Sequence, residues 1–221
     1  IESELYVVTR SGDELRKVVG NTTEFVSNIP ADVNGGSANA DNNLLLSNFG
    51  SDVFTIVDAD GNEIESLDLL LDGESFTAKN GDLAGGCNDD DSEEVCLEYA
   101  VYLINNTDNG STLYRVFIDN GVASLEVEAE FNHGAHIALG NDGEIYLVLA
   151  LAGKYGVYDP ISNTLSDLTQ ITYQDEPVLG TPQAVVDPSS GDLYVASVAD
   201  EAVYQVNPTT GEAELFASTE V

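Results

Sequence analysis

Two histidines, His133 and His136, are the whole imidazole supply of the chain. Spaced i, i+3, one or both with nearby Asp could hold a metal weakly, but a transition-metal site asks for three or four nitrogen, sulfur or carboxylate ligands. The other reading is a pair of ordinary hydrogen-bonded loop residues. Cys87 and Cys96 bracket Asn-Asp-Asp-Asp-Ser-Glu-Glu-Val. Two thiols this close in a polar, turn-forming segment point to a local disulfide, with two separate reduced thiols as the alternative. Between them, Asp89, Asp90, Asp91, Glu93 and Glu94 offer the oxygens calcium needs. Calcium takes six to eight of them, but the run has no Gly where an EF-hand makes its sharp turn, and a solvated acidic loop accounts for it equally. Asp58-Ala-Asp60-Gly61-Asn62 also looks like the start of a calcium loop, although its flanking strands favour a plain hairpin turn. The chain has no Gly-x-Ser-x-Gly elbow, phosphate loop or Gly-x-Gly-x-x-Gly fingerprint. Asn21, Asn105 and Asn109 each head a glycosylation sequon.

The elements that must position these residues are set by composition and pattern. Forty acidic side chains against six basic ones give a net charge of −34 over 221 residues. Such a surface repels nucleic acid and anionic lipid. It also repels itself unless salt screens it. The balance fits a halophilic or marine protein, or an acidic secreted protein that binds calcium. A hydrophobic fraction of 43% argues against disorder, and no apolar run is long enough for a membrane-spanning helix. The disulfide expectation points to an extracellular or cell-surface setting, with the periplasm as second choice. The chain opens on Ile1 with no signal-like stretch, as a mature secreted protein or a piece of a longer polypeptide would.

A short unit recurs along the chain. Leu5-Tyr-Val-Val8, Leu44-Leu-Leu46, Val101-Tyr-Leu-Ile104, Ile145-Tyr-Leu-Val148 and Leu193-Tyr-Val195 mark it, at steps of roughly 40 to 60 residues. Each marker is followed by a partner strand and a turn, at Gly20-Asn21, Asp60-Gly61, Asn120-Gly121, Ser162-Asn163 and Thr210-Gly211. An outer strand follows, as in Leu125-Glu-Val-Glu128, where acids alternate with apolar residues. Leading strands are clear only at Ala135–Leu139 and Ala184–Asp187. No segment shows sustained helical periodicity. This pattern predicts an all-β chain: a single β-propeller domain over residues 1–221, of five blades with three to four antiparallel strands each. Residues 72–97 break the period and read as a disulfide-pinned insertion between the second and third blades.

His133-Gly-Ala-His-Ile-Ala-Leu-Gly-Asn-Asp-Gly-Glu-Ile-Tyr-Leu147 and Pro182-Gln-Ala-Val-Val-Asp-Pro-Ser-Ser-Gly-Asp-Leu-Tyr-Val-Ala196 resemble the blade motif of NHL-type and YVTN-type propellers. That resemblance implies a fold and little chemistry. In such propellers the leading strand lines the central channel, and some hold a metal there through histidines from several blades. His133, His136 and Gln183 are then the candidate ligand-binding residues at the channel mouth.

Two functions are expected from different classes. The first is a secreted or cell-surface, non-catalytic binding or assembly module with a protein or glycan partner. The second is a metal-dependent hydrolase or lyase with its site near His136. The first unit has only Ile1–Glu4 ahead of its marker strand, so either the first blade has three strands and an open inner edge, or a segment from outside residues 1–221 fills the gap. Such an edge invites strand addition, and with it self-association at the N-terminal blade.

Overall fold

Period-two alternation decides most of the strands, and the outer ones show it best. In Glu63–Leu71, Leu67 and Leu69 are buried while Ser66 and Asp68 face outward. In Val122–Phe131, Ala123 and Leu125 are buried and Ser124 and Glu126 exposed. The computed structural model describes residues 6–9, 14–20, 22–29, 33–38, 43–87, 99–141, 143–181, 183–187 and 190–218. The described residues contain strands and turns and no helix. Accordingly, no helix among them is long and apolar enough to cross a membrane.

The strands form meanders in chain order. The first is β1 (Tyr6–Thr9), β2 (Glu14–Val19) and β3 (Thr22–Asn28). The second is β4 (Val33–Ala38), β5 (Leu44–Asn48), β6 (Val53–Val57) and β7 (Glu63–Leu71), with the short β8 (Glu74–Ser75) folded back on β7. The third is β9 (Asn80–Cys87), β10 (Tyr99–Thr107), β11 (Gly110–Asp119) and β12 (Val122–Phe131). The fourth runs β13 (His136–Leu139), β14 (Ile145–Leu149) and β15 (Lys154–Asp159), and is finished by two fragments, β16 (Thr164–Leu165) and β17 (Thr169–Gln170). A small hairpin, β18 (Thr172–Tyr173) with β19 (Glu176–Pro177), leads to the last meander. That one is β20 (Gln183–Val186), β21 (Leu193–Ser197), β22 (Ala202–Val206) and β23 (Ala213–Ser218). Pairing within each meander is antiparallel. The second and third are joined by a parallel contact of Val122–Leu125 with Asp68–Leu71.

The apolar residues gather in four clusters, each lying between neighbouring meanders. One joins Leu45, Phe54 and Leu67 to Leu103, Val116 and Leu125. A second joins Tyr102 and Leu113 to Ile137, Leu147 and Tyr158. A third packs Val148 and Tyr155 against Val195 and Tyr204, and a small one joins Leu15 and Ile29 to Leu46 and Val57. Sheets that bury both faces against neighbours, with the cores as seams between them, are what a propeller requires.

The strands β4, β9, β13 and β20 are successive neighbours on the inside. The stretch expected to be an insertion is corrected in part. Asn80–Cys87 is a full inner strand paired to β10 from Asn106↔Asn80 to Tyr99↔Cys87. Its neighbour β4 lies close: a Cβ on Gly35 would stand 2.6 Å from the Asp82 Cα, so that position of β4 takes a glycine. The expected outer strand Thr164–Ile171 is likewise broken. The Val157 N–H donates to the Ser166 hydroxyl at 2.9 Å where the ladder is interrupted.

Candidate functional site

Asp82 sits on β9 where β4, β9 and β13 meet, and it is 2% exposed. An isolated carboxylate buried this way is costly unless donors meet it. Here the Leu83 N–H donates to Oδ1 at 2.9 Å and the Ile137 N–H donates to Oδ2 at 3.3 Å. The His136 Nδ1 stands 3.4 Å from the same Oδ2, an ion pair whenever the imidazole is protonated. Burial raises the Asp82 carboxyl above its ordinary 3.8, and His136 and the two backbone donors oppose that rise.

His136 is held by the third meander as well as by its own strand. The Asn106 amide forms a two-way clamp on Ala135: Nδ2 donates to the Ala135 carbonyl at 2.9 Å, and Oδ1 accepts the Ala135 N–H at 2.8 Å. From the start of β11, the Ser111 hydroxyl donates to the His133 carbonyl at 2.7 Å. The chain entering β13 is therefore fixed on both sides. Across the inside, the Gln183 Nε2 donates to the Asn34 carbonyl at 3.2 Å and ties β20 to β4. Beside it lies a cavity of about 200 Å³ between β4 and β20, with Tyr6, Ser37, Leu46, Asp82, Gln183 and Tyr194 in its lining. A wider depression of about 530 Å³ runs along β12, beside Glu128, Glu130, Phe131 and Tyr158.

Of the residues expected at the channel mouth, the structure brings His136 to Asp82 and places Gln183 against Asn34. His133 is exposed in the loop ahead of β13. Among the described residues no group of three His, Cys, Asp or Glu side chains is arranged to hold a metal ion. Asn105 is buried, and its Oδ1 accepts the Lys79 N–H at 2.8 Å. Asn109 is exposed in the β10–β11 turn. Asn21, Cys96 and the acids Asp89, Asp90, Asp91, Glu93 and Glu94 lie outside the described residues, while the backbone of Cys87 ends β9. The calcium loop on Asp58 is a hairpin turn. The Asn62 side-chain amide donates to Asp58 Oδ1 at 3.2 Å and Oδ2 at 3.0 Å, and Oδ1 also accepts the N–H groups of Asn62 at 2.8 Å and Asp60 at 3.0 Å; together these hold the Asp58 carboxyl below the usual carboxylate range.

Asp82 is the buried inner-strand acid that the sequence pattern does not single out. Its segment, Asn80-Gly-Asp-Leu-Ala-Gly-Gly86, has turn-like composition. The available signal was positional: a leading strand was due there, and an acid inside one faces the axis.

No family model matches the chain, and no curated protein matches it. Solved structures do. A chain of a nidogen/laminin complex superposes with a TM-score of 0.64, at 10% identity over 98% of this chain and 76% of that one. A gluconolactonase from Xanthomonas campestris gives 0.58, at 16% identity over 98% and 72%. A glutaminyl cyclase from Myxococcus xanthus gives 0.58, at 13% identity over 87% and 75%. With the seams described above, these likenesses give the chain a β-propeller fold. At such identities they carry the fold and not the chemistry.

Proposed function

We propose that the chain is a non-catalytic binding or assembly module of the cell surface or extracellular space, with a protein or glycan partner. One observation carries this reading: the two inner polar side chains expected to do chemistry lie against neighbouring strands. His136 faces Asp82 between β13 and β9, and the Gln183 amide bridges β20 to β4. The competing reading, a metal-dependent hydrolase or lyase near His136, needs that imidazole and at least two further ligands turned to one point. The nidogen/laminin likeness supports the choice to the extent that a propeller of this general shape occurs in a protein complex. On the same reading Cys87 and Cys96 are bridged, and Asp89, Asp90, Asp91, Glu93 and Glu94 bind calcium in the loop they enclose.

The test has two arms. Screening the purified chain against arrays of glycans and extracellular proteins should return a saturable ligand that leaves the binding reaction unchanged. Calorimetric titration with zinc, manganese and iron(II) should show no tight site that depends on His136. A transition metal bound by the wild type and released in His136→Ala, together with hydrolysis or elimination on ester, lactone or amide substrates, would overturn the proposal.

A further inference from the structure

The inside of the ring holds a carboxylate with acceptor capacity left over, bordering a cavity of about 200 Å³. An ionised carboxylate offers about four acceptor sites on its two oxygens. Asp82 receives the Leu83 and Ile137 N–H groups and the contact with His136. The same residue lines the cavity between β4 and β20. The described lining of that cavity contains no Lys or Arg and is otherwise mainly aliphatic and aromatic, with Leu46 on one side and Tyr6 and Tyr194 beside it. Aromatic faces attract a cation brought against them, and a buried carboxylate gains most from a partner of opposite charge that also donates hydrogen bonds. A cavity of about 150 Å³ takes a benzene ring, so the space here, about 200 Å³, takes a short alkyl stem with its charged head. The net charge of −34 concentrates cations around the whole molecule.

We propose that the cavity between β4 and β20 binds an alkylammonium group, either a free amine or a lysine side chain, with the Asp82 carboxylate as its anionic partner. This rests on the binding-module reading and names the ligand chemistry of its inner site. The apolar walls take the stem, and the ammonium donates to the carboxylate oxygens. Gln183 borders the same space while its amide remains on Asn34.

The experiment is calorimetric titration of the intact chain with n-butylammonium chloride at constant ionic strength. Butan-1-ol serves as neutral analogue, and sodium chloride as the counterion control. Nα-acetyl-lysine amide forms a parallel arm. One saturable site for butylammonium is expected, with no binding of butanol and at least about tenfold weaker binding in Asp82→Asn. Ala184→Phe, which fills the cavity from β20 and leaves the carboxyl in place, should abolish it. Binding of the lysine amide as tight as butylammonium points to a lysine of a partner protein, and binding of butylammonium alone points to a small amine. Heat that does not saturate, or that sodium reproduces, overturns the proposal on the wild type alone, whatever the variants do. If amine binding fails while the arrays return a glycan or protein, the ammonium site falls and the binding module stands. If the amine binds and is chemically converted, the site stands and the non-catalytic reading falls.

Discussion

Asp82 should give this protein a pH dependence opposite in sign to ordinary acid denaturation. Its folded carboxyl titrates above the ordinary 3.8 because burial disfavours the charge. The stability it contributes is therefore fully present below the ordinary carboxylate range and is lost as pH rises through the raised folded value. Asp82→Asn cannot ionise. It keeps one acceptor for the Leu83 N–H but turns an amide toward the Ile137 N–H. Chemical denaturation of both proteins between about pH 4 and pH 8 should show wild type losing ground to Asp82→Asn as pH rises. A constant difference across that range would mean that the carboxyl is solvated. Tyr204 behaves likewise at the alkaline end. Burial and the neighbouring Asp200 carboxylate push its hydroxyl up to about 12, so its part of the stability is present below 10 and fades as pH rises through that value.

At the scale of elements, β4 lies so close to β9 that Gly35 has no room for a side chain. Gly35→Val places a Cβ against the Asp82 Cα, a backbone atom that cannot move aside. Overpacking of this kind costs about 1–3 kcal/mol, read as a lower denaturant midpoint, while Gly20→Ala, with open space around its Cβ but a φ of +60°, should cost less. The same crowding explains what the sequence conceals. The marker, partner and outer strands are legible because they pack against the seams, giving Tyr146, Leu147 and Val148, or Leu193 and Val195, a readable apolar pattern. The inner strands β4, Val-Asn-Gly-Gly-Ser-Ala, and β9, Asn-Gly-Asp-Leu-Ala-Gly-Gly-Cys, have compositions that local rules assign to turns. What selects their residues is the approach of another strand, and local patterning does not encode that. For the site, His136 and Gln183 were legible as inner-ring residues, whereas Asp82 was hidden with its strand. The loop that joins β9 to β10 carries a prediction of its own. A Cys87–Cys96 bridge should contribute about 2–3 kcal/mol by restricting the unfolded chain, seen as a lower melting temperature on reduction. Intact-mass analysis after alkylation without reductant, finding two labelled thiols, would remove the bridge.

At the scale of the whole molecule, a net charge of −34 makes salt part of the fold. Screening shortens to about 3 Å at 1 M, so the melting temperature should climb steeply from millimolar to molar sodium chloride. A flat profile would place the carboxylates far enough apart, or neutralised well enough by bound ions, for repulsion not to matter. The division of the apolar core into four seams has a separate consequence. No single centre must form before the rest can follow, so cooperativity passes from sheet to sheet as it does between units of a stacked array. The smallest seam, of Leu15, Ile29, Val33, Leu46 and Val57, is the one that tethers β1–β3. In amide hydrogen exchange those strands should open as one unit ahead of the rest. Under mechanical load the ring should yield first at that seam and then unzip one sheet at a time.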